Sequence, residues 1–309
     1  MSIDAAARIL GDRARRNVAL GPFTTYGVGG PAALFMADCG PDDLTLAREA
    51  LAASGLPVLV VGRGSNLLVA DRGFPGLALT LGDAFAAVHH DAGDTRVRAG
   101  GALSFPVLAR RTATLGLRGL EWAVGVPGSV GGAVRMNAGG HGSDVAAVLT
   151  RAWLFDLAAG EGGGVEVAAA DLDLGYRRSA VAPTQVVVAA EFALVAGDRE
   201  DAEAELRAVV KWRREHQPGG SNAGSVFANP PGDSAGRLID AAGLRGRRRG
   251  SAFVSPKHAN FFQVDEGGSA DDVRALMDEV RATVEARFGV VLTLENRLIG
   301  FDLSPSMGG

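Results

Sequence analysis

Three polar residues stand in short motifs and carry side chains that could do chemistry. Arg177 lies in GYRRS, Ser225 lies in SNAGSVFANP, and Glu295 follows the apolar run GVVLTL. An arginine can hold a carboxylate through two parallel hydrogen bonds and keeps its charge at physiological pH. A positioned hydroxyl can donate a proton, and a carboxylate can share or accept one. By residue type, each of the three is able to take part in such chemistry.

Each of the three also has a plainer interpretation. Arg177 could form a surface ion pair, which is what we expect of Arg178 next to it. Ser225 could be a turn serine or a helix cap, and Glu295 could be an exposed charge at the end of a strand. The pair Gly224-Ser225 is not part of a G-x-S-x-G elbow, so an acyl-transfer nucleophile is not expected.

Glycine is concentrated in a few segments rather than spread evenly. The 44 glycines cluster at 27–30, 61–66, 125–134 and 137–142, which is typical of backbone that approaches a ligand closely. The loop VGRGSN lacks a third glycine, because Leu67 stands there and a strand follows, so it is not a Rossmann loop. Its backbone amides could hold a pyrophosphate, or the loop could be a tight hairpin turn. Two such clusters favour a flat bound cofactor.

The periodicity of apolar residues predicts the elements that must position these motifs. We predict a βαβ-like unit after residue 82 and an α+β organisation. Predicted helices cover 41–54, 104–115, 198–216 and 269–289, and predicted strands cover 57–62, 67–71, 151–157, 164–168, 185–195 and 289–300. The last helix has an apolar stripe (Val273, Leu276, Met277, Val280 and Val284), with Gly289 as its C-cap. Changes in the pattern of predicted strands and helices along the chain predict domains at 1–82, 83–198 and 199–309.

Composition excludes several classes of protein. A net charge of −4 with interspersed charges argues against a general nucleic-acid binder; the one basic run, 245–249, is short. The single Cys39 excludes a disulfide framework and a multi-cysteine metal site. The pair His89-His90 has no companions at ligand spacing, so we expect no metal. The absence of a long apolar run and a charged N-terminus predict a cytoplasmic protein without membrane contact.

Eight motifs, in order along the chain, resemble the UDP-N-acetylenolpyruvoylglucosamine reductase (MurB) family over nearly the whole length. They are FTTYGVGGPA (23–32), VGRGSNLLV (61–69), GVPGSVGGAVRMNAGG (125–140), GYRRS (175–179), NAGSVFANP (222–230), AGLRG (242–246), VSPKHANF (254–261) and LENRLIG (294–300). The resemblance implies an α+β fold with a two-part FAD-binding region of the vanillyl-alcohol-oxidase (PCMH) type and a C-terminal α+β substrate-binding domain. The short connection after GYRRS resembles the compact, type II subtype.

The resemblance also implies an activity. A protein of this family uses non-covalent FAD, with NADPH as co-substrate, to reduce UDP-N-acetylglucosamine enolpyruvate to UDP-N-acetylmuramate in peptidoglycan biosynthesis. Hydride passes from the flavin to C3 and a proton reaches C2. We expect a cytoplasmic monomer with no nucleic-acid partner. Two alternatives stay open: a flavin oxidase of a small alcohol or sugar that uses dioxygen, and a catalytically idle flavin- or nucleotide-binding module.

Site residues follow from the matched motifs. Arg177 is implied to stabilise the developing negative charge, Ser225 to donate the proton to C2, and Glu295 to complete the catalytic set. Implied cofactor residues are Tyr26, Gly62, Arg63, Gly64, Ser65, Asn66, Leu67, Gly125, Pro127, Gly128, Ser129, Gly132, Ala133, Asn137 and Gly139. Implied substrate residues are Arg213, Asn222, Lys257, His258 and Asn260. The chain departs from the common family pattern at Ala228, Val264 and Asn296.

Overall fold

The computed structural model describes residues 2–160 and 162–301, so the last part of the predicted third domain, 302–309, lies outside the described residues. Helices and strands alternate irregularly, which confirms the α+β class. The helices are α1 Ile3–Leu10, α2 Pro41–Ser54, α3 Phe105–Thr114, α4 Val130–Arg135, α5 Arg199–His216, α6 Ala235–Ala241 and α7 Ala270–Phe288. Strands β1 to β9 are Arg15–Ala19, Pro31–Cys39, Val58–Val60, Leu67–Val69, Phe74–Leu81, Val88–His89, Arg96–Gly100, Leu117–Arg118 and Gly139–Gly140. Strands β10 to β18 are Ser143–Asp144, Leu149–Asp156, Gly164–Ala168, Gln185–Ala193, Val195–Ala196, Arg248–Arg249, Ala252–Val254, Phe262–Val264 and Arg297–Ile299.

The chain divides into two compact units, each built from three stretches of sequence. The first unit comprises Met1–Arg16, Leu34–Arg63 and Gly76–Glu215, and the second comprises Asn17–Ala33, Gly64–Pro75 and His216–Gly309. The predicted boundaries after residues 82 and 198 stay predictions. In the part of the chain that is described, no helix combines the length and the apolar character needed to cross a membrane.

The first unit carries a five-stranded sheet in the order β12-β11-β13-β7-β6, and every pairing in it is antiparallel. The predicted βαβ-like unit is wrong. Strand β7 before α3 pairs with β13, whereas β8 after α3 pairs antiparallel with β14. The two strands that flank the helix thus join different sheets, although the helix itself lies where periodicity placed it.

The helices predicted at 41–54 and 269–289 are confirmed together with their end signals. The Asp43 carboxylate accepts a hydrogen bond from the Gly40 backbone nitrogen at 2.8 Å, so the first turn of α2 is capped by its own side chain. Helix α7 begins after Ser269 and ends at Gly289, whose φ of 70° is left-handed. All five residues of the predicted stripe on α7 are buried in the core of the second unit.

Strands β3 and β4, which flank the glycine loop 61–66, lie in different sheets. Strand β3 pairs in parallel with β5, and β4 pairs in parallel with β18. The loop 61–66 therefore links two sheets, and the tight-hairpin alternative is wrong. The strand predicted over 289–300 is also largely wrong, because regular pairing begins only at Arg297. Before Arg297, two backbone hydrogen bonds attach the segment to residues 226–228. Ala228 N donates to Thr293 O and Glu295 N donates to Val226 O, both at 2.8 Å.

Candidate active site

The two loops with most of the implied cofactor residues, 61–69 (the first flavin loop) and 125–140 (the second flavin loop), meet at Gly62 and Ser129, both in the first unit. A Cβ added to Gly62 would lie 2.6 Å from Ser129 Oγ, so one of the two must shift. Turning the hydroxyl away would break its cap on α4, in which it accepts a hydrogen bond from the Gly132 nitrogen at 3.2 Å. The first of these loops thus has no side chain at Gly62, where it packs against the Ser129 hydroxyl, and exposed glycine backbone of this kind fits a cofactor that lies against main chain.

The second flavin loop is fixed from within by Asn137, which is 2% exposed. Its Nδ2 donates to Gly175 O at 3.0 Å and to Asp144 Oδ2 at 3.2 Å, and its Oδ1 accepts from Ala146 N at 2.9 Å. The amide therefore links the end of the loop to the GYRRS turn. A direct contact of Asn137 with the cofactor stays a prediction.

Arg177 occupies a strained position in a four-residue turn. Gly175 and Arg178 close the turn with reciprocal backbone bonds of 3.1 and 3.2 Å, and Arg177 has a φ of 56°. A left-handed conformation costs a non-glycine residue about 1 kcal/mol or more. Arg177 Nη2 also donates to Gly139 O at 3.2 Å, so the side chain lies against the second flavin loop.

Arg178 lies in a different environment, and the surface ion pair predicted for it is confirmed. It forms an ion pair with Asp173 at 3.2 Å, with both side chains mostly exposed. The two neighbouring arginines therefore have different surroundings: one lies against the flavin loop and the other is a solvated surface pair.

Arg213, on helix α5, lies beside Gly125 at the start of the second flavin loop. A Cβ on Gly125 would lie 3.2 Å from Arg213 Cδ and 3.2 Å from His141 Nε2. Burial lowers the pKa of Arg213 below its usual range, and burial together with the Arg213 charge lowers the pKa of His141. The His141 ring also packs edge-on against Trp212, with 5.1 Å between centroids. Motif comparison missed His141 and Trp212 in this setting, although the NAGGHG cluster pointed to the segment.

In the second unit the Ser225 segment runs between two others. Ser225 forms an isolated bridge with Phe261, and Val226 N donates to Asn260 O at 2.9 Å. On the opposite side Val226 O accepts from Glu295 N at 2.8 Å. Ser225 and Glu295 thus lie on adjacent paired segments. Gly224, with a φ of 74°, makes the turn into this segment.

Asn260, predicted to bind substrate, has a buried side chain that holds this segment. Its Oδ1 accepts from Phe227 N at 3.0 Å, and its Nδ2 donates to Phe227 O at 2.7 Å. Asn222 holds the preceding loop in the same way, since its Oδ1 accepts from Gly224 N at 3.1 Å. Contacts of these two amides with substrate stay predictions.

Lys257 and His258 lie in the turn before Asn260. Lys257 is exposed, and His258 Nδ1 accepts a hydrogen bond from Asn260 N at 3.2 Å. Burial and the nearby Arg245 charge lower the pKa of His258. Nδ1 can accept this bond only without a proton, so protonation of the ring at Nδ1 would break it.

Two predicted cofactor residues, Tyr26 and Asn66, both form hydrogen bonds with the side chain of Asn296. The buried Tyr26 hydroxyl donates to Asn296 Oδ1 at 3.3 Å, and burial raises the pKa of Tyr26. Asn296 Nδ2 donates to Asn66 Oδ1 at 3.1 Å, and Asn66 Nδ2 donates to Glu295 O at 3.0 Å. Sequence reasoning noted Asn296 only as a departure from a family pattern; between Glu295 and Arg297 it gave no local signal of burial.

The structure thus groups the predicted residues into two sets. Arg177, Arg213 and the second glycine loop belong to the first unit, and Ser225, Glu295, Asn260, Asn66 and Tyr26 belong to the second. Other predicted cofactor residues lie in the same loops: Arg63 and Pro127 are exposed, Gly64 and Ala133 are buried, and Ser65, Leu67 and Gly128 are partly exposed.

The close approach of the two glycine-rich loops at Gly62 and Ser129, within an α+β architecture, fits a protein that holds FAD. An FAD-binding domain model matches residues 40–161, and a model described as "UDP-N-acetylenolpyruvoylglucosamine reductase, C-terminal domain" matches residues 216–299. This is an FAD-containing oxidoreductase. The chain belongs to the UDP-N-acetylenolpyruvoylglucosamine reductase (MurB) family of peptidoglycan-synthesis enzymes.

Individual relatives match along most of both chains. UDP-N-acetylenolpyruvoylglucosamine reductase 2 of Symbiobacterium thermophilum is 42% identical over 93% of this chain and 92% of its own. The reductase of Rubrobacter xylanophilus is 42% identical over 90% and 92%. The crystal structure of the Thermus caldophilus reductase is 34% identical, with a TM-score of 0.78 over 93% of this chain and 99% of that chain.

Proposed function

We propose that this protein reduces UDP-N-acetylglucosamine enolpyruvate to UDP-N-acetylmuramate, with NADPH as the source of hydride and Ser225 as the proton donor. The observation that carries the proposal is the pairing of the Ser225 segment with the Glu295 segment through Val226. Through this pairing, Ser225 and Glu295 stand in adjacent backbone segments of the second unit.

The reaction adds a hydride to C3 and a proton to C2 of the enolpyruvyl double bond, which becomes a single bond. When bound, FAD supplies the hydride. Negative charge then develops at C2 and on the adjoining carboxylate. The Arg177 guanidinium is the group we assign to that charge, since its planar donors match a carboxylate and it is held by a constrained turn.

Ser225 Oγ donates its proton to C2. A serine is a weak acid, so its contribution depends on position and on the basicity of the carbanion that receives the proton. The segment is fixed on both sides, by Asn260 and by Glu295. Glu295 is assigned to polarising the hydroxyl or the water that reprotonates it.

The remaining assignments complete the proposal. The Gly62 and Ser129 loops hold FAD by backbone contacts, and Arg213, Asn222, Lys257, His258 and Asn260 line the path of the nucleotide sugar or fix the segments that do. We propose that the enzyme works as a cytoplasmic monomer; size-exclusion chromatography with light scattering checks the oligomeric state.

The test separates the two half-reactions under anaerobic conditions. NADPH is expected to bleach the flavin absorbance, and the enolpyruvyl nucleotide is expected to restore it. Ser225→Ala should leave the NADPH step unchanged and slow the second step about 100- to 10,000-fold. Ser221→Ala, in the same loop, is the matched control and should leave both steps unchanged.

Two results would contradict the proposal. Equal slowing of both steps in Ser225→Ala would mean that Ser225 shapes the flavin site rather than donating a proton. Rapid reoxidation by dioxygen, with no response to the nucleotide, would favour the flavin-oxidase alternative.

A further inference from the structure

Asn296 is a buried amide at the meeting point of four segments of the second unit. It is 5% exposed. Its Oδ1 accepts from the Tyr26 hydroxyl at 3.3 Å, and its Nδ2 donates to Asn66 Oδ1 at 3.1 Å and to Ala223 O at 3.2 Å. The residue before it in the chain is Glu295. One side chain therefore contacts the Tyr26 segment, the first flavin loop and the serine loop.

The backbone on either side of Asn296 is tied to the same flavin loop. Asn66 Nδ2 donates to Glu295 O at 3.0 Å, and Arg297 N donates to Asn66 O at 2.8 Å. Strands β4 and β18 then continue this attachment in parallel register, from Leu67 opposite Arg297. Asn66 and Asn296 thus hold each other through side chain and backbone, and Glu295 lies between these attachments.

The third contact of Asn296 reaches the serine loop. Ala223 O, which accepts from Nδ2, lies two residues before Ser225, and Val226, one residue after, accepts from Glu295 N. Ser225 is therefore held on both sides by residues 295 and 296. A buried donor or acceptor without a partner costs about 1–3 kcal/mol, so loss of the Asn296 amide would leave costly unpaired groups in this network.

We propose that Asn296 is a positioning residue for proton transfer, which fixes the Ser225 loop and Glu295 relative to the Asn66 flavin loop. The inference rests on the proposed roles of Ser225 and Glu295. Asn296 acts through them and does not itself touch the reacting atoms. Misplacing a reacting group by about 1 Å can slow a step about 100-fold, and a weak acid such as serine depends on its placement more than on its acidity.

Graded substitutions separate the contacts of the amide. Asn296→Asp keeps the shape and an acceptor for Tyr26, but it cannot donate to Asn66 and Ala223. Asn296→Leu removes all three hydrogen bonds at similar volume. Tyr26→Phe removes only the 3.3 Å bond to Oδ1 and leaves both donor bonds in place.

The measurement is single-turnover kinetics of the FAD-loaded enzyme, in H₂O and in D₂O. In Asn296→Asp and Asn296→Leu we expect the second half-reaction to slow about 10- to 100-fold, with an increased solvent isotope effect, because proton transfer becomes more rate-limiting. Flavin reduction by NADPH should change less than about threefold. Tyr26→Phe should have the smallest effect on the second step.

The outcomes distinguish this inference from the proposed function. If Ser225→Ala leaves the second step intact, the role of Ser225 is wrong. If Ser225→Ala abolishes that step while both Asn296 variants keep its rate and isotope effect, the positioning role alone is wrong. Equal loss in both half-reactions, with no change in isotope effect, would also overturn it, since that is the result of a purely structural residue. If Asn296→Leu does not fold, the isosteric Asn296→Asp decides.

Discussion

At the scale of single residues, strained backbone and buried polar side chains occur at or next to the proposed catalytic and cofactor residues. Arg177 is one of six non-glycine residues with positive φ among the described residues, and Asn137 and His141, in the neighbouring glycine loop, are two others. Strain of this kind persists only where surrounding contacts enforce it. Here those contacts are the Asn137 bond to Gly175 and the Arg177 bond to Gly139.

Arg177→Gly and Arg178→Gly should separate strain from chemistry. Glycine adopts the Arg177 conformation freely, so relief of about 1 kcal/mol should offset loss of the hydrogen bond to Gly139. Urea unfolding should then show a free energy within about 1 kcal/mol of the parent, while the second half-reaction is strongly slowed. Arg178 has no positive φ, so its glycine variant should lose about 1 kcal/mol and keep its activity. The reverse pattern would contradict both assignments.

His258 gives a prediction of pH dependence. Its pKa in the folded protein lies below the usual 6.5 because of burial and Arg245. As pH falls through 6.5, the unfolded chain takes up a proton that the folded chain does not yet bind, so stability falls toward lower pH, by at most about 1.4 kcal/mol per pH unit. His258→Gln should reduce the difference in unfolding free energy between pH 7.5 and pH 5.5. An unchanged difference would show that other groups cause the loss.

At the scale of elements, helix α7 is tied to the end of strand β4 by Asp71. The Asp71 carboxylate accepts from Ala270 N at 3.0 Å, from Asp271 N at 3.2 Å and from the Ser269 hydroxyl. A carboxylate at this end of a helix satisfies backbone donors and opposes the positive end of the helix dipole. Asp71, about 200 positions earlier in the chain, thus adds to the Ser269 cap, whose hydroxyl accepts from Asp272 N at 3.1 Å.

Asp71→Ala should lower the free energy of unfolding by about 1–2 kcal/mol. The reason is the loss of a charged acceptor for two backbone amides. Equilibrium unfolding in urea measures the change, and the exposed Asp12→Ala is the matched control, for which a change within about 0.5 kcal/mol is expected. Equal effects in the two variants would mean that the cap contributes little.

The same elements show where prediction from sequence succeeds. The bounds of helix α7 could be predicted because its apolar stripe, Ser269 before its first turn and Gly289 after its last are local signals, whereas its capping by Asp71 is not. The segment 289–296 could not, because alternation of apolar residues indicates burial but not the partner, and its pairing with residues 226–228 amounts to two bonds and one bridge. Motif matching likewise found Asn260 and Asn137 but could not show that their amides bind backbone.

At the scale of the whole molecule, the proposed cofactor should be a major source of stability. The first glycine loop begins in one compact unit and ends in the other, since the division falls between Arg63 and Gly64. A ligand that binds only the folded state stabilises it by about 4 kcal/mol at a concentration 1,000 times its Kd. Removal of FAD should therefore lower the free energy of unfolding by several kcal/mol.

Gly62→Ala is the variant that links this effect to the loops. The added Cβ would meet Ser129 Oγ at 2.6 Å, and that oxygen is held by its hydrogen bond to Gly132. Either that hydrogen bond breaks or the loops separate, and we expect separation, which weakens the backbone contacts with FAD. Each tenfold rise in the Kd for FAD should reduce the difference between the FAD-loaded and FAD-free proteins by about 1.4 kcal/mol, as measured by unfolding with and without added FAD.

Two further variants decide whether the contact with Ser129 is the cause. Ser129→Gly combined with Gly62→Ala removes the oxygen that the new methyl group would meet, and glycine at a helix N-cap costs only a few tenths of a kcal/mol. The double variant should therefore recover most of the lost stabilisation by FAD. Gly160→Ala, where a Cβ meets nothing within 4 Å, should leave that stabilisation unchanged. If the double variant binds FAD no better than Gly62→Ala, the approach of the two loops does not control the cofactor site.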